Sequence, residues 1–538
     1  MKKIPIGVED FKEIIRDNFY YIDKTQHIEE ILNDGSKVKL FTRPRRFGKT
    51  LNMSTLKYFF DMKNAEENRQ LFKGLDIEKS SYILEQGQYP VIFISLKGIK
   101  TNTWEEYLTK LKSLIKRLYN EFEYIRCILN ESERDSFDRI WLQKAGGDYE
   151  NSLRDLTAYL YKYYKKEAVL LIDEYDSPLI TAYEYHYYDE AVTFFKMFYG
   201  EALKTNPYLK MGVMTGIIRV IKAGIFSDLN NLKVYSILDK QYSDYFGFTH
   251  SEVEKALESF DMAYEIPEVK LWYDGYKFGN SEIYNPWSIL KFLQNKELEA
   301  YWVGTSENFL IKKILTDANS GLNKSLEILF NGEKLEEVIS GNSDLSSLLD
   351  HHEIWELLLF SGYLTIERKI ERNFYSLRLP NKEVKEFFKD EFIDTSFGTS
   401  QFKKTMEALK KSDICNLQEI LLTSSSYMDM KTEDFYHGLI LGMSLYLDSQ
   451  YYITSNKEAG LGRYDLLLEP KNKEERGFIL EFKVVKNKKD LENVSKEAIE
   501  QITNKKYDIN LKRKGIKQIT LVGIAFHGKL IKVSHMNL

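Results

Sequence analysis

Lys39-Leu40-Phe41-Thr42-Arg43-Pro44-Arg45-Arg46-Phe47-Gly48-Lys49-Thr50 decides the fold of this 538-residue chain. It reads as a short apolar strand, a tight basic loop and a helix opening near Lys49. That is the layout of a phosphate-binding P-loop. In such a loop the backbone N–H groups and the helix N-terminus face an anion. Lys49 is expected on the β and γ phosphates of ATP, and the Thr50 hydroxyl on Mg²⁺. The first glycine of G-x-x-x-x-G-K-[ST] falls at Arg43, so the loop must turn there without one. Arg43, Arg45, Arg46, Phe47 and Gly48 complete the expected nucleotide-binding set. The alternative is a basic turn that ends by chance in Gly-Lys-Thr, and a second signal downstream argues against it.

That signal is Ala168-Val169-Leu170-Leu171-Ile172-Asp173-Glu174-Tyr175-Asp176. An apolar run ending in Asp-Glu is a buried parallel strand with acids at its C-terminal end, where open sheets bind ligands. Asp173 is expected in the Mg²⁺ shell and Glu174 on the attacking water. A further strand, Leu209 to Gly216, sets Thr215 beside the expected γ phosphate. Arg219 follows. It reads either as a solvent-facing arginine or as one that stabilises transition-state charge, in cis or across a subunit boundary of a homo-oligomer. Asp23-Lys24-Thr25 reads as a helix cap or as part of an adenine pocket.

At this length the chain holds more than one domain. Net charge is −5, so nucleic acid must meet local basic patches rather than the whole surface. Cys127 and Cys415 lie far apart and suggest a reducing, cytoplasmic setting without disulfides. The first residues lack the apolar core of a signal peptide, and no apolar run is long enough for a membrane. The expected organisation is α/β. A P-loop ATPase core covers 1–240, a mostly helical lid 241–345, a winged-helix-like module 346–395 and a polar helical connector 396–430. A small α/β domain spans 431–538 and opens on an amphipathic helix over 432–447.

The small domain carries a second constellation. Asp465 opens a strand of a hairpin, and Glu481 and Lys483, two apart on the next strand, share a face. Glu481 follows Phe478-Ile479-Leu480 on a buried strand, where a charge needs a partner or a metal. Two such carboxylates suit Mg²⁺ or Mn²⁺, hard cations that take oxygen ligands. Glu458 is a candidate extra ligand. Lys483 is expected to orient a water or stabilise a phosphorane. Gln501, on the following helix, is expected to fix the water or a backbone phosphate. A surface Glu–Lys pair on an ordinary hairpin is the alternative.

Together YIDKT at 21–25, RPRRFGKT at 43–50, LLIDEYD at 170–176, WYDGY at 272–276, YNPWSIL at 284–290, GRYDLLL at 462–468 and ILEFK at 479–483 resemble one bacterial family. Its members are AAA-ATPase-like proteins with a C-terminal PD-(D/E)XK nuclease domain. The family carries arginine at the first P-loop position, as Arg43 here. The resemblance implies that Asp465, Glu481 and Lys483 are the nuclease acids and lysine. Gln501 and Tyr507 resemble its glutamine–tyrosine helix at a looser spacing. The implied activity is ATP hydrolysis joined to Mg²⁺-dependent cleavage of nucleic acid, DNA foremost. The rival reading is a nucleotide-switched signalling or assembly protein whose last domain binds nucleic acid or a partner without cutting.

Overall fold

The computed structural model describes the chain except residues 1, 220–230, 303–319, 331, 342–350, 398, 425–441, 444–445, 456–457, 460–461 and 529. The chain forms two compact units. The first joins Met1–Ser306 to Glu336–Glu383, and the second joins Glu307–Leu335 to Val384–Leu538.

The first unit is built on five parallel strands: β1 (Val38–Thr42), β2 (Val91–Ser95), β3 (Ala168–Asp173), β4 (Leu209–Gly216) and β5 (Leu232–Tyr235), in the order β2-β3-β4-β1-β5. Every residue of β1 and β3 is buried, as expected for strands covered on both faces. The order matters for the site. β4 runs between the loop-bearing strand β1 and the acid-bearing strand β3, so Thr215, beside Phe41 in register, ends between their two C-terminal tips. Helix Lys49–Phe60 starts at Gly48, whose φ of +80° suits glycine, and buries Met53, Leu56, Phe59 and Phe60.

The region read as a helical lid is more mixed. It contains helices His250–Ser259, Ile266–Tyr273 and Pro286–Asn295, but also a three-stranded antiparallel sheet of Phe248–Thr249, Ser281–Tyr284 and Tyr276–Phe278. These strands are two to four residues long, too short to leave a period-2 pattern. Farther on come helix His351–Phe360, the hairpin Thr365–Glu371/Phe374–Arg378 and helix Lys382–Phe397. Up to Glu383 this segment belongs to the first unit.

The second unit carries a five-stranded mixed sheet. Tyr451–Ser455, Leu466–Pro470 and Gly477–Val484 run antiparallel in turn, Gly477–Val484 pairs in parallel with Ile519–His527, and Leu530–Asn537 closes the edge. Helix Leu491–Asn504 makes the crossover and buries Leu491, Ala498, Ile499 and Ile502. Helices Thr399–Lys410 and Ile414–Ser424 precede the sheet. The amphipathic helix expected over 432–447 lies largely outside the described residues.

Candidate functional sites

At the first site, three strand ends and one helix start meet on Asp173. Thr50 donates its hydroxyl to Asp173 Oδ2 at 2.9 Å, Ser95 donates to the same oxygen at 3.4 Å, and the Thr215 hydroxyl donates to Oδ1. Asp173 is fully buried, so these donors offset the cost of taking a carboxylate out of water. The Thr215 oxygen in turn accepts the Glu174 N–H at 3.3 Å. Glu174 has φ +53°, a left-handed conformation uncommon for a side-chain-bearing residue. Burial raises its carboxyl above the usual range, against the pull of Lys49. Asp176 accepts the N–H groups of Ile217 and Ile218 at 2.7 and 2.9 Å, which ties the end of β4 to this turn.

Lys49 is buried. Its ammonium donates to the carbonyls of Arg43 (3.0 Å) and Pro44 (2.8 Å). The N–H groups of Gly48, Lys49 and Thr50 find no backbone partner among the described residues. Open donors at a helix start, beside a lysine whose hydrogen bonds among the described residues go to loop carbonyls, are the chemistry an anionic phosphate chain satisfies.

The three arginines and Phe47 divide. The Arg43 guanidinium is committed to backbone carbonyls and aromatic rings of the core, where a phosphate-binding side chain is expected from the sequence. It is fully buried and donates to the carbonyls of Thr42 (2.9 Å), Tyr235 (2.8 Å) and Tyr242 (3.2 Å), over the rings of Phe246 and Phe278. It braces the end of β1 against the end of β5. Phe47 is also a core residue, packed edge-on against Tyr276 at 5.0 Å between ring centres. Arg46, with φ +64°, lays its guanidinium 3.8 Å over the Trp287 ring. The Arg45 carbonyl accepts from the Trp302 indole at 3.1 Å. Arg219 is half-buried, and burial lowers its pKa. Asp23-Lys24-Thr25 ties segments together: Asp23 accepts from Asp76 N (2.7 Å), Thr25 from Ile77 N (3.2 Å), and Lys24 pairs with Glu252 at 2.6 Å.

At the second site, Asp465 and Glu481 come together. Asp465 Oδ2 accepts the N–H of Phe482 at 2.8 Å, which pins it beside the Glu481 strand. Glu481 is buried. Its Oε1 accepts from Lys483 at 3.1 Å and from the Gln501 amide. Its Oε2 is buried without a hydrogen bond of good geometry among the described residues. Burial first, then the charge of Asp465, push the Glu481 carboxyl up to about 7. Tyr507 plays a different part: it is buried and donates to the Arg463 carbonyl at 2.7 Å, anchoring the turn that delivers Asp465. Glu458 lies on a two-residue strand paired to Gly462–Arg463, and its side chain is outside the described residues. Among the described residues no group of three or more metal-ligating side chains converges.

A P-loop sheet with its acids on the third strand, and a hairpin presenting two carboxylates and a lysine, define an ATPase-type domain followed by a nuclease-type domain. The comparisons agree. Residues 5–226 match the family described as predicted AAA-ATPase, and residues 431–536 match the PD-(D/E)XK nuclease superfamily. Residues 5–226 are thus an AAA-ATPase-like domain and residues 431–536 a PD-(D/E)XK nuclease-superfamily domain. The chain is also similar to the uncharacterized protein in the vnfD 5′ region of Azotobacter chroococcum mcd 1. The two are 28% identical over 393 residues, covering 71% of this chain and 68% of that protein. Among the described residues no helix is long and apolar enough to cross a membrane.

Proposed function

We propose that the protein hydrolyses ATP at the P-loop and that this turnover regulates metal-dependent cleavage of nucleic acid, DNA foremost, in the C-terminal domain. The observation that carries the nuclease reading is Glu481 Oε2, a buried carboxylate oxygen lacking a good donor beside a second carboxylate. Lys483 supplies one positive charge to two neighbouring carboxylates, and a hard divalent cation relieves their repulsion and the cost of burial. Mg²⁺ takes one or two carboxylates and completes its shell with water and substrate phosphate, so this pair fits it. Asp465 and Glu481, with Glu458 a further candidate, would hold one ion, and Thr50 with Asp173 another. Such an ion neutralises phosphate charge and lowers the pKa of a bound water.

The chain's own groups do the rest. Lys49 leaves the carbonyls of Arg43 and Pro44 for phosphate oxygens, while Glu174 orients the attacking water and Thr215 holds Asp173 in place. In the second domain Gln501 fixes the Glu481 carboxylate, and Lys483 offers its ammonium to the scissile phosphate. The test incubates the protein with plasmid, linear and single-stranded DNA plus Mn²⁺, with and without ATP. Cuts that vanish in Glu481→Ala and change rate with ATP support the reading. Absence of cuts on every substrate refutes the nuclease half and favours a nucleotide-switched binding protein.

A further inference from the structure

Four consecutive P-loop residues are each gripped by a segment far along the chain. The Pro44 ring lies so close to Gly362 that a Cβ there would stand 2.9 Å from it. Arg45 O takes the Trp302 indole, Arg46 stacks on Trp287, and Phe47 packs on Tyr276. Behind them stands Glu383, fully buried. It accepts the Trp302 N–H at 2.7 Å and the Ser288 hydroxyl at 2.9 Å. Ser288 belongs to the helix that presents Trp287, whose start is capped by the buried Asn285. One carboxylate thus fixes both tryptophans.

Peptide geometry gives this grip a consequence. A trans peptide is planar, so the carbonyl of one residue and the N–H of the next point in opposite directions. The carbonyls of Arg43, Pro44 and Arg45 are all occupied, the first two by Lys49 and the third by Trp302. Holding Arg45 O turns the Arg46 N–H away from Trp302. Once Lys49 moves to a phosphate, it releases its two carbonyls, and the Trp302 bond becomes the anchor that keeps the loop's donors aimed. The left-handed Arg46, where a glycine would sit more easily, lies stacked on Trp287.

We propose that Trp302 and Glu383 are positioning residues for nucleotide binding. The indole orients the Arg45–Arg46 peptide toward the phosphates, and the carboxylate holds the backbone N–H of Trp302, from which the indole extends. This rests on the ATP reading above.

The test uses the full-length protein, mant-ATP with Mg²⁺, and steady-state ATPase assays. Trp302→Phe keeps an aromatic ring and deletes the donor. It is expected to raise Kd and KM about tenfold, the worth of one good hydrogen bond, with kcat within about twofold, the signature of lost uniform binding. Glu383→Ala is expected to do the same, and Glu383→Gln, which keeps an acceptor, to restore most of the affinity. A merely structural role would lower the melting temperature and leave KM of the folded fraction unchanged. That result in both Trp302→Phe and Glu383→Ala overturns the proposal. Wild-type protein that fails to bind mant-ATP overturns the nucleotide reading, and the proposal with it.

Discussion

Thr50 Oγ1 lies 2.9 Å from Asp173 Oδ2, a bond that joins the P-loop helix to the tip of β3 across 123 residues of sequence. The two residue types that share a magnesium ion in P-loop enzymes are therefore already in contact. Lys49→Ala should reduce ATP hydrolysis at least about a hundredfold, the scale of removing one preorganised charge from a phosphoryl-transfer site. Thr50→Val and Asp173→Asn should act in the same direction. Phosphate release assays at saturating ATP check this, and turnover that persists in Lys49→Ala would exclude the loop as the site.

Arg43 gives the opposite expectation. Its guanidinium serves three backbone carbonyls and two aromatic faces, so Arg43→Ala leaves a cavity and unpaired buried acceptors. A loss of roughly 3 kcal/mol or more is expected. Urea denaturation should show the midpoint falling, and the folded fraction should still bind ATP. A variant of unchanged stability with lost ATP affinity would return Arg43 to the phosphates.

The contrast between these residues shows what the sequence can say. Strand, loop and acid pairs announce themselves locally, and the sheet, the meeting of Asp173 with Thr50, and the meeting of Asp465 with Glu481 all follow from motif spacing. A motif gives a position but not a side-chain direction. Arg43 reads as a ligand until Tyr235 and Tyr242, some two hundred residues later, claim its donors. The same holds for Trp302, which reaches Arg45 from 257 residues away. Its segment, Tyr301-Trp302, has no period or spacing that could announce the contact. Tyr507, paired with Gln501 by resemblance, is spent on a backbone carbonyl, and only coordinates separate the two roles.

In the second domain, Gln501 is the donor from the crossover helix that fixes Glu481. Supporting hydrogen bonds of this kind are worth about 10- to 100-fold in metal affinity or activity. Gln501→Ala should therefore lower Mn²⁺-dependent cleavage by that factor, and excess Mn²⁺ should recover part of it. Glu481→Ala should stay inactive at any Mn²⁺ concentration. A titration of plasmid nicking against Mn²⁺ separates the two. Identical curves for Gln501→Ala and wild type would assign the glutamine no part.

Glu383 sets a pH dependence of stability. Burial raises its carboxyl from 4.5 to about 7, and the bonds from Trp302 and Ser288 only partly offset this. Between those values the native chain holds a proton that the unfolded chain releases. Stability contributed by this group is therefore present at low pH and lost as pH rises from about 4.5 through 7, then level above. The loss is roughly 3 kcal/mol across that window, taking 1.36 kcal/mol per pKa unit. Glu383→Gln cannot ionise, so the difference between its unfolding free energy and that of wild type should shift in the variant's favour as pH goes from 5 to 8. Urea midpoints at several pH values measure that difference, and other titrating groups cancel in it. A constant difference would mean that Glu383 ionises in the folded protein as it does in the unfolded chain, its donors fully offsetting burial.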